Sequence, residues 1–255
     1  MQELTDPSVV SPFYESGDYF SLHADYDRDG PYKVRDLLKL LLPYATRKGV
    51  QIRSFADVGC GGGSAAVALA QGLRAAGHPV QDARGYEVSP HVTSLRHDGI
   101  EFRHEDFSQA DTRVDLVTMF DVFEHVPDPV GFLRNVAARC DLMGLHIPLD
   151  DSVGNGIFNR FRGLMDDPGH IMYLDTASAL TVVAMAGILT LDYRYTIVHR
   201  YPTGRGTLGQ KFALPIRAAL TFVSPWLAAK TVGGVSLMVL AVTPKGLDAL
   251  NPTST

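Results

Sequence analysis

Between residues 50 and 150 the chain alternates short apolar runs with stretches of helical periodicity, and the alternation repeats. Ser54–Val58 reads as a buried strand, and the helix after it ends near Gly77. Further strands are predicted at Ala83–Val88, Ile100–Arg103, Val114–Phe120 and Leu142–Ile147, with a helix from Pro129 to Cys140. Period-two or continuous apolar runs of this length are half-buried or fully buried strands, and spacings of three and four are helix faces. Upstream, Val34, Leu37, Leu38, Leu40, Leu41 and Leu42 give an apolar face to a helix over Tyr32–Tyr44, with Pro43 marking its end. Downstream come a helix over Thr176–Ala186 closed by Gly187, a strand over Leu189–Val198 and a last strand over Val235–Val242. Strands alternating with helices imply a doubly wound α/β sheet, with ligands at the carboxyl edge of its strands.

The chemistry concentrates at strand ends. After the first strand comes Asp57-x-Gly59-x-Gly61-x-Gly63 and then a helical run from Ser64, a plausible helix cap. A turn without Cβ atoms lets a ligand lie against backbone N–H groups at a helix start. A dinucleotide fingerprint, G-x-G-x-x-G/A, is the rival reading; counted from Gly59, its sixth position is Ser64, which fits poorly. Glu87 ends the second strand, 24 positions after Gly63, and Asp106-Phe107 follows the third, with Glu105 adjacent. The fourth leads into Phe120-Asp121-Val122-Phe123-Glu124-His125-Val126-Pro127-Asp128-Pro129.

These four strand ends, taken in order, resemble class I S-adenosylmethionine (SAM) dependent methyltransferases of the small-molecule type, similar to the ubiquinone-pathway O-methyltransferases. The resemblance covers about Phe55 to Ile147. It implies a Rossmann-like, doubly wound, seven-stranded, mainly parallel sheet with helices on both faces and an embedded cap or lid. It also implies SAM as cofactor, contacted by Asp57, Gly59, Gly61, Gly63, Glu87, Asp106, Phe107 and Phe120. In that family the Glu87 position holds the ribose hydroxyls, and Asp106 with the Phe107 N–H meets the adenine. The expected activity is methyl transfer to oxygen or nitrogen of a small-molecule acceptor; the alternatives are a non-catalytic SAM-binding protein and, further off, a nucleotide-dependent oxidoreductase.

A hydroxyl acceptor needs a base, and histidine titrates in the right range. His170, in a Gly-His pair of the connection 148–174, ranks first; His125 ranks second; His146, inside a strand, reads as packed and hydrogen-bonded. Asp121 with Glu124 or His125 would share one face if the segment were helical, which raises a metal site; the expectation is nonetheless no metal.

Composition narrows the partners. The 255 residues are 45% hydrophobic and 20% charged with a net charge of −5, an ordinary globular chain of one domain without a basic nucleic-acid footprint. Its only cysteines, Cys60 and Cys140, form no disulfide framework or metal motif, consistent with a cytoplasmic protein. No signal peptide or membrane-spanning segment is expected: the apolar run 212–227 is interrupted by Pro215, Arg217 and Pro225. It can still form a surface-lying amphipathic helix. The arm before residue 30 carries Phe13, Tyr14, Tyr19, Phe20 and Tyr26, either to close over a ligand or to anchor the arm. Residues 1–45, 148–174 and 199–234 are expected to form arm and caps on the single domain, and a homodimer is possible.

Overall fold

The structure, a computed structural model, describes residues 24–167, 169–205 and 208–250, with Ser16 and Leu22 besides. Phe13, Tyr14, Tyr19 and Phe20 lie outside the described residues. Seven strands form one sheet: β1 (Ser54–Val58), β2 (Asp82–Glu87), β3 (Glu101–His104), β4 (Val114–Phe120), β5 (Cys140–Pro148), β6 (Leu189–Ile197) and β7 (Val235–Val242). Their order is β3-β2-β1-β4-β5-β7-β6, parallel except for β7, which runs antiparallel to both neighbours. The doubly wound, mainly parallel sheet expected from the sequence is the observed one.

Helices cover both faces. On one side α1 (Gly30–Lys48) and α2 (Ser64–Ala75) pack over Phe55, Leu116, Leu142 and Met238. On the other, α3 (Pro129–Ala137) and α6 (Thr176–Met185) pack over Val58, Met119, Met143 and Leu145. Leu142 and Met143, adjacent in sequence, enter opposite cores, the period-two geometry of a strand buried on both faces. The connection from β5 to α6 holds two short helices, α4 (Val153–Ile157) and α5 (Phe161–Asp166), and that from β6 to β7 holds α7 (Leu208–Val223) and α8 (Pro225–Thr231). A last helix, α9, spans Pro244–Leu250.

Several boundaries depart from the sequence reading. Pro43 does not end α1, which runs on to Lys48 and stops at Gly49 in the left-handed region (φ 67°). An interior proline costs about 3 kcal/mol. Leu40, Leu41 and Tyr44 are buried on the same helix, and large side chains contribute about 1.5–3 kcal/mol each on burial, enough to carry the helix through. Helix α3 is shorter than expected because Cys140 already pairs with Val114 as the first residue of β5. Ser64 is not the cap of α2 either. Gly63 occupies that position, and the acceptor comes from a distant turn: the Ser64 N–H donates to Asp27 Oδ1 at 3.1 Å, while its hydroxyl donates to the Asp27 carbonyl.

Register places the site. Val58 pairs with both Tyr86 and Met119, Glu87 with His104, and Phe120 with His146. The carboxyl ends of these strands therefore end at nearly one level, and the residues after them face a common space.

Candidate active site

A cavity of about 390 Å³ opens at that edge. The residues around it include Asp57, Gly59, Gly61, Glu87, Asp106, Phe107, Phe120 and His125 from the sequence reading, and Asp27, Lys33, His91 and Glu105 besides. The glycine loop bends as the spacing implies, with φ of 69°, 52° and 84° at Gly59, Gly61 and Gly63. Built onto Gly61, a Cβ atom would meet nothing within 4 Å, so it would project into open space. This is the surface on which a ligand can approach the backbone. His91 braces the loop: its Nε2 lies 2.9 Å from the Gly61 carbonyl, and its Nδ1 lies 2.7 Å from Ser89 Oγ.

The acids differ in what they already hold. Asp57 is buried; Thr118 Oγ1 donates to its Oδ1 at 2.6 Å, and its Oδ2 has no partner. Burial above all pushes its carboxyl up to about 7, with Asp27 and Glu87 adding to the rise against Thr118 and Lys33. A buried carboxylate with a vacant oxygen beside a cavity suits a cationic ligand. Glu87 accepts from the N–H groups of Gly61, Val88 and Ser89, tying the glycine loop to the end of β2. Asp106 caps the turn after β3, accepting from the Ser108 N–H at 2.8 Å and its hydroxyl at 2.9 Å. The Phe107 ring is buried edge-on against Tyr86, centroids 4.8 Å apart, which leaves its backbone as the part able to meet a ligand. Cys60 is buried and packed, and burial pushes its thiol up, so it is no nucleophile.

Beyond Phe120 the backbone turns sharply through Asp121 (φ 59°) into a short 3-10 turn, Phe123–His125. Asp121 and Glu124 therefore do not share a helical face, and they enter different clusters. Asp121 accepts from Lys33 Nζ at 2.6 Å and sits 2.5 Å from His146 Nδ1; His146 Nε2 is 2.9 Å from Thr196 Oγ1. His146 is the packed, hydrogen-bonded histidine expected of a strand interior. Burial opposes ionisation of Asp121, but the His146 and Lys33 charges outweigh it and hold the carboxyl well below its usual range.

Glu124 instead meets the other two histidines. Its side chain is fully buried and neither oxygen has a hydrogen-bond partner. One ligating atom each from Glu124, His125 and His170 lie within 4.8 Å of one another. The His125 and His170 rings meet edge-on with centroids 4.8 Å apart. His125 Nδ1 is 3.0 Å from the Gly169 carbonyl, which can only accept, so Nδ1 carries the proton and Nε2 the lone pair. His170 Nδ1 likewise donates to Asp150 Oδ2 at 2.6 Å. Burial first, then the His170 charge, lowers His125 to about 3, so it is neutral at physiological pH. For His170 burial works downward, yet Asp150 and Glu124 raise it overall. Burial, then the Asp121 charge, pushes Glu124 up to about 8.

Of the two ranked histidines, His125 borders the cavity and His170 stands behind it, brought there by the β5–α6 connection. Among the described residues, neither 148–174 nor 199–234 supplies a side chain to the cavity wall. Sequence reasoning missed Asp27, Lys33, His91 and Asp150. Only His91 carried a local signal, in the Ser89-Pro90-His91 turn after β2; the others come from distant segments.

A family profile described as "Methyltransferase domain" matches residues 26–184, the span that builds this whole edge. The chain belongs to that methyltransferase family, of the class I SAM-dependent type. Ubiquinone biosynthesis O-methyltransferase of Vibrio campbellii is 32% identical over 143 residues, 52% of this chain and 57% of that protein. Its counterpart in Neisseria meningitidis serogroup C is 32% identical over 133 residues, 46% of this chain and 54% of that protein. The chain thus spans a little over half the length of the curated relatives it matches. Among solved structures, the plantazolicin methyltransferase BpumL superposes with a TM-score of 0.59 at 13% identity, covering 93% of this chain and 94% of that one. Magnesium protoporphyrin IX methyltransferase of Synechocystis PCC 6803 gives 0.54 at 15% identity, covering 93% and 99%. A [4+2]-cyclase, SpnF, gives 0.52 at 18% identity over 82% of this chain and 80% of that one, so the fold alone does not decide the reaction.

Proposed function

We propose that this methyltransferase moves the SAM methyl group to a hydroxyl oxygen of a small-molecule acceptor. The observation that carries the reading is one cavity bordered both by a buried carboxyl with an unpartnered oxygen, Asp57, and by a neutral imidazole, His125. Asp57 and the Gly59–Gly63 loop receive the methionine part of SAM, Glu87 its ribose, and Asp106 with the Phe107 N–H its adenine; Phe120 borders the same cavity. In the transfer the acceptor oxygen forms a bond to the methyl carbon as the carbon–sulfur bond breaks, and S-adenosylhomocysteine leaves. The hydroxyl proton passes to Nε2 of His125, which lies 4.0 Å from Glu124 Oε1, and His170, held by Asp150, packs edge-on against that ring and fixes its position. Alignment supplies the rest, since the sulfonium has already activated the carbon. The O-methyltransferase names of the curated relatives support oxygen over nitrogen. The named acceptors of the structural neighbours differ from one another and choose none for this chain.

A direct test is calorimetric titration of wild type and Gly61→Val with SAM and S-adenosylhomocysteine. The valine side chain enters the space beside the loop at a φ that branched residues avoid, so affinity falls at least about tenfold, or about 1.4 kcal/mol. Unchanged affinity would remove the assignment of the loop.

A second reading follows from the orphaned Glu124. Two imidazoles and a carboxylate are a donor set for a divalent transition metal, with Asp150 orienting one imidazole from behind. Bound there, a cation would polarise the acceptor's hydroxyl. Inductively coupled plasma analysis of purified wild type and Glu124→Gln decides: stoichiometric metal lost in the variant supports this reading, and metal-free wild type with full turnover rejects it.

A further inference from the structure

The segment between β6 and β7 differs in character from the rest of the molecule. Residues 199–234 contain Arg200, Arg205, Lys211, Arg217 and Lys230 and no Asp or Glu, in a chain whose net charge is −5. The two helices here also leave large apolar side chains in solvent: Ile216, Phe222 (90% exposed) and Val223 on α7, Trp226 (52% exposed) and Leu227 on α8. Inward they present Leu220, Thr221, Ala228 and Ala229, so over the described side chains from 214 onward each helix has one packed and one solvent-facing side.

The exposed face continues onto α4. A Cβ atom on Gly154 would lie 2.9 Å from the Thr231 carbonyl, which shows how closely α4 passes the end of α8, and Val153, Ile157 and Phe158 are exposed beside it. Arg160 stacks on Phe158 at 5.3 Å. Arg217 donates to the Val232 carbonyl at 3.4 Å, and its Nε is buried without an acceptor. Burial, and then the Arg160 charge, lower the Arg217 pKa, so the two guanidinium groups repel one another across this patch. Lys230 is paired with Asp175.

We propose that α7, α8 and the α4–Phe158 edge dock on the surface of a bilayer bearing anionic phospholipids. Phe222, Val223, Trp226 and Phe158 enter the boundary between headgroups and acyl chains, and Arg160 and Arg217 meet lipid phosphate. Cationic charge on an otherwise acidic protein orients it toward an anionic surface, and protruding aromatic and aliphatic side chains then hold it there. The chain lies on the membrane and does not cross it, since no described helix is long and apolar enough to span one. A second copy fits less well: a two-fold contact would set this basic patch against itself. The inference is independent of the acceptor and of methyl transfer.

Trp226 is the only tryptophan of the chain, so its fluorescence reports the docking directly. Full-length protein is mixed with vesicles of phosphatidylcholine alone, or with about 30% phosphatidylglycerol added. The expected result is a blue shift of Trp226 emission and co-sedimentation with the anionic vesicles only, weakened by high salt. Phe222→Ser, and separately Arg160→Glu, should each weaken that binding about tenfold or more while leaving the circular dichroism spectrum intact. The wild-type shift decides the matter even if a variant fails to fold. Unshifted emission with anionic vesicles overturns the proposal. So does equal binding to both vesicle types, or a wild-type dimer that Phe222→Ser dissolves and vesicles leave unchanged.

Discussion

Two histidine–acid clusters lie a few residues apart at the ends of β4 and β5. Asp121 is satisfied from two sides, by Lys33 and by His146, which passes the chain on to Thr196. Glu124, three residues later, is more deeply buried and makes no hydrogen bond with either oxygen, its nearest counter-group being His125 Nε2 at 4.0 Å. Buried ionisable groups are costly unless paired. The complete cluster reads as part of the scaffold: it pins α1 to the sheet beside the cavity. The incomplete one keeps an unmet demand for a proton, a cation or a polarised ligand, which is what a working site retains. Asp57, with one oxygen bonded and one vacant, belongs with Glu124 in this respect.

The sharpest way to break the comparison is to truncate each cluster. His170→Ala should lower kcat by about 10²–10⁴-fold at saturating SAM while cofactor affinity stays near wild type. His125→Ala, measured alongside, identifies which imidazole carries the larger share; full turnover in both would make this cluster structural too. In the complete cluster, Asp121→Asn keeps a residue tolerant of the left-handed backbone and removes only the charge. Denaturant unfolding should show a loss of about 2–3 kcal/mol, less than for a fully buried pair because Asp121 is partly exposed. A stability loss for His170→Ala as large as that of Asp121→Asn would erase the distinction.

Smaller effects test the cofactor end. Glu87→Ala should weaken SAM and S-adenosylhomocysteine alike, by about 1.5–3 kcal/mol, because a ribose contact does not sense the sulfonium. Asp57 should distinguish them by pH. Its folded carboxyl, raised to about 7, is protonated at pH 6 and ionised at pH 8, and cationic SAM favours the ionised form. SAM affinity should therefore rise about tenfold per unit as pH approaches 7 from below and level off above it. Asp57→Asn should flatten the profile, and a wild-type profile already flat across pH 6–8 would sink the assignment. For stability the sign is opposite. A carboxyl raised in the folded state costs the unliganded protein stability as pH climbs from the ordinary carboxylate value toward 7.

Much of the strand succession and of the cavity's lining is legible in the sequence. Asp57, Gly59, Gly61, Glu87 and Asp106 follow strands whose apolar pattern is local, and all five border the cavity, whereas Gly63 lies against the Phe102 ring and does not line it. His146 declared itself by lying inside a strand. Harder to read was the surrounding frame: α1 overrides Pro43 because its buried face outweighs one lost hydrogen bond, and the α2 cap comes from Asp27 and not from Ser64. The helices α7 and α8 showed only as an interrupted apolar run. Their exposed face was not readable from spacing alone, since the same residues would suit a core.

By itself, then, the sequence determined the glycine loop, the succession of strands and the acids that follow them. These depend on φ preferences and on hydrophobic period within a few residues. Only the tertiary structure decided that β7 enters reversed between β5 and β6. It alone carried His170 across 45 positions to stand behind His125, left Asp121 complete and left both Glu124 oxygens without a hydrogen bond. Those outcomes rest on which distant segments return to the same sheet edge, and on what burial does to a charge once they arrive; neither is encoded in the spacing of neighbours.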